Sequence, residues 1–179
     1  MSRLGRAWQH LGEVLYNAVW TYVPSHNVRI LALRTWGAKV GKDCSLLRGT
    51  TVLSIAHLTL GDAVSIGFRC VLDARGGITI GSNTVLASDT HLVTGRHDIH
   101  SPDFIAILEP IVVEEYVWLA IRTTVLAGVT IGRGAVVSAC SLVKDDVLAM
   151  DVVAGVPAVS IGTRRSTLDY RPAFRPLFY

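Results

Sequence analysis

Arg96, His97, Asp98, His100 and Asp103 crowd into eight positions, a dense run of titratable side chains that includes two of the six histidines. An imidazole with its ordinary pKa near ~6.5 exchanges protons at neutral pH, so such a segment suits acid–base chemistry. Histidines can also bind metal. His91 and His97 lie six residues apart and no third histidine follows at a matching spacing. A zinc site needs three protein ligands of suitable geometry, so a metal is not expected.

The stretch that carries these residues, from Leu92 to Val113, interrupts an otherwise regular chain. Val113, Leu119, Val125, Ile131, Val137 and Val143 recur at six-residue steps without a miss. The same step links Val40, Leu46 and Val52; Leu60, Ile66, Leu72 and Ile78; Ile80, Leu86 and Leu92; and Val147, Val153 and Val159. A small residue repeatedly follows the aliphatic, as at Gly41, Gly61, Gly67, Gly81, Ala87, Ala120, Gly132 and Ser138. This period is the signature of a parallel β-helix, in which three short strands and three corners close a coil of about 18 residues. The aliphatics point inward and stack coil upon coil, and the small residues are expected to let the backbone turn. An antiparallel barrel would show a period of two instead. A long polar loop thrown out of so rigid a scaffold is where function concentrates.

The chain has 179 residues, half of them apolar and 17% charged, which suits one folded domain and excludes disorder. Its net charge of +3 comes without a basic run, so nucleic acid is not an expected partner. Cys44, Cys70 and Cys140 form no CxxC pair and read as reduced thiols of a cytoplasmic protein. Near the N-terminus, Leu4, Trp8, Leu11, Leu15, Ala18 and Tyr22 fall on one face of a helix. Arg6, Gln9, His10 and Glu13 interrupt it, so it is not expected to span a membrane. The expectation is that the apolar face docks on the domain or on a neighbouring subunit. Trp8, Trp20, Arg3 and Arg6 support a second reading, peripheral attachment at the inner face of the membrane.

Over residues 28–163, and most specifically from Val113 to Val143, the sequence resembles the hexapeptide-repeat acyltransferases, in particular the sugar O-acetyltransferase branch with the maltose, nodulation-factor and colanic acid enzymes. The resemblance implies a left-handed parallel β-helix over 28–163 with a loop extruded at about 95–110. Residues 1–27 would form the N-terminal helix and linker, and 164–179 an extended tail. It also implies a homotrimer with active sites between subunits, an acyl-CoA cosubstrate (acetyl-CoA or succinyl-CoA), and a saccharide or glycolipid acceptor.

Residue by residue, His97 in Thr94-Gly95-Arg96-His97-Asp98 resembles the family's catalytic histidine, a general base that takes the proton of a sugar hydroxyl. Asp73, in Val71-Leu72-Asp73-Ala74, resembles an acceptor-contacting aspartate, and His91, Arg96 and Asp98 join it as acceptor-binding candidates. Trp118 matches a tryptophan at the start of the CoA-binding coils, with backbone contacts to CoA expected near Ala120, Ile121 and Ala139. Lys144 stands one position away from the family's usual lysine. The closing run Val153-Ala154-Gly155-Val156-Pro157-Ala158 is followed by Val159 and Ser160 where a basic residue is usual, leaving Arg164 and Arg165 to meet the CoA 3′-phosphate. Tyr170, Phe174, Phe178 and Tyr179 among arginines and prolines suggest a tail packed on a surface. Two rival classes are a metal-dependent hydratase resembling the carbonic anhydrases built on this fold, and a β-helix that only scaffolds a complex.

Overall fold

An aliphatic every sixth residue demands a backbone that bends every six, and the computed structural model, which describes residues 3–172, is a parallel β-solenoid of about six turns. Three parallel sheets form its faces. The first is built on strands Lys39–Val40, Leu58–Leu60, Ile78–Ile80, Ile111–Val113 and Thr130–Ile131. The second runs through Ser45–Leu46, Ser65–Ile66, Val85–Leu86, Trp118–Leu119, Val136–Val137 and Asp151–Gly155. The third comprises Thr51–Leu53, Val71–Asp73, His91–Val93, Thr124–Val125 and Leu142–Val143. In-phase pairing, such as Leu72 with Leu92 and Val113 with Ile131, places the period-six side chains over one another in a single buried column.

The small residue after each aliphatic does a different job from the one expected. Gly67 does not have a positive φ; a Cβ there would fall 2.4 Å from the Ser88 nitrogen of the next coil. It is small so that stacked coils can approach. The turn is made two residues later, where Arg69 takes φ +53°, and Asp43, Ala63, Asn83, Asp89 and Arg122 repeat that left-handed conformation at other corners.

The long insertion and two short 3-10 turns, Ile55–His57 and Ala74–Gly76, all leave the corner between the third and first faces. The other two corners stay tight, so the solenoid admits extra chain along one edge.

Two helices close the N-terminal end: α1, Arg3–Ala18, and α2, His26–Thr35. The solenoid therefore begins at Lys39 and not at 28, because Ile30, Ala32, Leu33 and Trp36 on and just after α2 join the buried column with Leu46 and Val52. Buried Arg29 fixes α2 by donating from Nε to the Leu46 carbonyl at 2.8 Å.

Helix α1 docks with its small and polar side. Gly12 sits against the Trp36 indole, and Tyr16 is fully buried. The Asn17 amide pairs with both the N–H and the carbonyl of Val52 at 2.9 Å, and Glu13 accepts from the Ser54 N–H at 2.7 Å. Trp8, Leu11, Leu15, Ala18 and Tyr22 are exposed, so the expected docking of the apolar face on its own domain is not what forms. The Arg3, Leu4 and Arg6 side chains lie outside the described residues, and no helix among those described is long and apolar enough to cross a membrane.

At the far end the chain reverses at Val156-Pro157, and Ala158–Thr163 returns antiparallel to Asp151–Gly155. Val159 is thus exposed and does not continue the inward column. The tail then climbs the corner between the first and second faces: Leu168 is buried and Arg171 pairs with Asp43 at 2.7 Å. The tail rests on its own chain as far as the description reaches, with Phe174, Phe178 and Tyr179 outside the described residues. Cys44, Cys70 and Cys140 form no disulfide, and burial pushes the Cys70 thiol up to about 11.

Candidate active site

The expected loop is an antiparallel hairpin of Gly95–His97 against Ala106–Leu108. Its base is held by Thr94, whose buried hydroxyl donates to the Asp73 carbonyl at 2.6 Å and accepts from the Gly76 N–H at 2.8 Å. The Glu109 N–H closes the neck on the Thr94 carbonyl at 2.9 Å. Arg96 and Glu109 then clamp the two strands across 2.8 Å, and this bond holds the Glu109 carboxyl below its usual range.

His97 stands exposed on this hairpin with its ring fixed from two directions. Its Nδ1 lies 2.8 Å from the Phe104 carbonyl oxygen, and the ring stacks on the Phe104 ring at 4.2 Å and 7°. A carbonyl oxygen only accepts, so the hydrogen bond requires the proton on Nδ1. In the neutral ring Nε2 then carries the lone pair, the form a general base needs.

Asp73 and Asp98 serve the scaffold. Buried Asp73 is gripped by Arg75, Nε to Oδ1 and Nη2 to Oδ2 at 2.8 Å each, and these bonds lower its pKa against the opposing effect of burial. Asp98 accepts from the His100 N–H at 2.9 Å and shapes the hairpin tip. Asp73 is therefore occupied by Arg75 where an acceptor contact was expected, while Asp98 is half-buried. His91 is exposed on the third face between Val71 and Thr124, on the strand that feeds the hairpin.

The coenzyme candidates sit elsewhere. Trp118 is half-exposed on the second face, and Ala120, Ile121 and Ala139 stack at the corner between the second and third faces, where the Cys140 N–H donates to the Ile121 carbonyl. The hairpin leaves the third face at its opposite corner, so the width of that face separates the two groups within one chain. Lys144 is exposed and paired with Asp145, and Arg165 is exposed. Arg164 departs from expectation: its Nη1 donates to the Tyr116 and Gly134 carbonyls at 2.8 and 3.1 Å, and its Nη2 to the Tyr170 hydroxyl at 2.9 Å. It ties down the tail.

Phe104, Arg75, Thr94 and Glu109 were not among the sequence-derived site residues. Only the Arg96–Glu109 cross-strand pairing follows from a rule, and only once the hairpin register is known. A cleft of 400 Å³ on the first face, lined by Thr79, Gly81, Val112 to Glu115 and Arg133, contains none of the site candidates. Among the described residues no group of three or more His, Cys, Asp or Glu is placed to hold a metal.

A solenoid of hexapeptide coils with a histidine-bearing hairpin defines a class, and sequence comparison agrees. The chain is 38% identical over 148 residues to the Escherichia coli protein named colanic acid biosynthesis acetyltransferase WcaF, covering 83% of this chain and 81% of that one. This chain belongs to the hexapeptide-repeat acetyltransferase family. No protein-family model matches it. Among solved structures, a Vibrio cholerae hexapeptide-repeat acetyltransferase complexed with acetyl-CoA superposes with a TM-score of 0.78 at 24% identity, over 91% of this chain and 88% of that one. A maltose O-acetyltransferase from Clostridium difficile superposes at 0.80 with 22% identity, over 92% and 90%. Both share the fold.

Proposed function

We propose that this acetyltransferase moves the acetyl group of acetyl-CoA to a hydroxyl of a sugar, polysaccharide or glycolipid precursor, by direct attack in a ternary complex with His97 as general base. The observation that carries the reading is the bond from His97 Nδ1 to the Phe104 carbonyl, which fixes the tautomer with Nε2 as acceptor. As the acceptor oxygen bonds to the thioester carbon, Nε2 takes the hydroxyl proton. The tetrahedral oxyanion rests on backbone N–H groups at a coil corner, and collapse breaks the C–S bond. The CoA thiolate leaves and recovers the proton from the imidazolium. WcaF is named for colanic acid biosynthesis and the Clostridium neighbour for maltose, which favours a saccharide acceptor.

The separation of the His97 hairpin from the Trp118, Ala120, Ile121 and Ala139 region supports a site shared between copies, and a homotrimer places one copy's hairpin beside the next copy's corner. Lys144 and Arg165 are the cations we assign to the CoA phosphates, and His91 and Arg96 the side chains turned to the acceptor. The reaction draws on the cytoplasmic pool of acetyl-CoA.

Free CoA thiol is measured as acetyl-CoA, then succinyl-CoA, is offered with a panel of mono- and oligosaccharides. Acceptor-dependent thiol release with acetyl-CoA is expected, together with thermal stabilisation by about 2.7 kcal/mol at a coenzyme concentration near 100 times its Kd. Release with succinyl-CoA alone would reassign the donor. No stabilisation by any CoA species would overturn the transferase reading for the scaffold one.

A further inference from the structure

The N-terminal cap is docked the wrong way round for a helix whose only role is to cover the core. Its Gly12, Glu13, Tyr16 and Asn17 side meets the solenoid, while Trp8, Leu11 and Leu15 are 52%, 47% and 37% exposed. The apolar surface continues through exposed Val19, Trp20 and Tyr22 to Leu31 of α2, which is 63% exposed. A groove of 240 Å³ between Trp20, Val28, Leu31 and Trp36 runs through it.

Charge separates the possible occupants of this face. Residues 1–35 contain Arg3, Arg6, Arg34 and the buried Arg29 against Glu13 alone, a balance of +3 that equals the net charge of the whole chain. The rest, 36–179, is neutral by the same count. That single carboxylate is turned inward onto the Ser54 N–H, so no acidic group stands on the outward side of α1 among the described residues. Tryptophan and tyrosine around an aliphatic stripe, with cations and no acids, match the composition of helices lying in a lipid interface. A second copy of the same face would bring like charge against like charge.

We propose that α1 and the adjoining turn lie in the surface of an anionic phospholipid bilayer, holding the solenoid on the membrane by its N-terminal end. Leu11, Leu15, Trp8 and Trp20 enter the boundary between headgroups and acyl chains, and the net positive charge of this end of the chain draws it to the anionic headgroups. The inference is independent of the acyl-transfer reading, because its readout is binding to lipid and not turnover.

The test is co-sedimentation of the full chain with vesicles of phosphatidylcholine alone and with about one third phosphatidylglycerol, followed also by tryptophan emission. Binding to the anionic vesicles with a blue shift is expected, weakening at least about tenfold without phosphatidylglycerol or at high salt. The double variant Leu11→Glu and Leu15→Glu changes only exposed positions, so its melting temperature and its mass by light scattering should match the parent while vesicle binding falls at least about tenfold. Absence of binding to anionic vesicles, or binding that the double variant retains, overturns the proposal. A lower mass for the variant than for the parent also overturns it, since a second copy would then be the occupant.

Discussion

Thr94 is the joint between the rigid solenoid and the hairpin that carries His97, and Thr94→Val removes its hydroxyl at nearly constant volume. Two backbone groups lose their partner: the buried Asp73 carbonyl, reached at 2.6 Å, and the half-buried Gly76 N–H at 2.8 Å. A buried polar group left unpaired costs about 1–3 kcal/mol, so the two together should cost about 3 kcal/mol, the half-buried Gly76 N–H contributing the smaller share. For a chain of this size that corresponds to a fall in melting temperature of roughly 6–12 °C. Calorimetry gives the melting temperature, and amide exchange at Gly76 reports the joint itself, where protection should drop in the valine variant. Thr94→Ser keeps the hydroxyl and should recover most of the loss. If Thr94→Val melts within a degree or so of the parent with Gly76 still protected, the joint is not built as described and the hairpin is positioned by other contacts.

Gly67→Ala puts a Cβ 2.4 Å from the backbone nitrogen of Ser88 in the next coil, and should destabilise by about 1–3 kcal/mol in chemical denaturation. Asp73→Asn tests the grip of Arg75. The folded-state pKa of Asp73 is lowered, so its contribution is complete above the ordinary carboxylate range and is lost as pH falls through the folded value. The variant should be about 1–2 kcal/mol less stable at neutral pH, after discounting for the half-exposed arginine, and that deficit should shrink in acid. A deficit that persists unchanged at low pH would argue that Asp73 acts through its shape and not its charge.

The solenoid is legible because its period is enforced at every coil: Leu72, Leu92, Val113, Leu119, Val125 and Ile131 are fully buried at the positions the six-residue step picks out. The extruded segment is legible for the same reason, as the one long break in that step. What escaped depends on contacts remote in sequence. Nothing in His26–Thr35 announces that Ile30 and Leu33 will plug the first coil, and period counting does not report which side of α1 meets the protein. The glycine rule failed in an instructive way, since close approach of stacked backbones, and not a positive φ, selects Gly67. His97 could be singled out by resemblance, yet the Phe104 carbonyl that sets its tautomer is a backbone atom with no signature. Arg164 could equally have met a phosphate; that it holds Tyr116, Gly134 and Tyr170 follows from the path of the tail.

The central claim is that Nε2 of His97 removes the acceptor proton. Acetyl transfer and acetyl-CoA binding measured side by side for His97→Ala test it most directly. The account predicts a fall in kcat of about 10²- to 10⁴-fold with the coenzyme Kd unchanged, because the base acts on the acceptor hydroxyl and not on the donor. Turnover retained within a few-fold of the parent would contradict it.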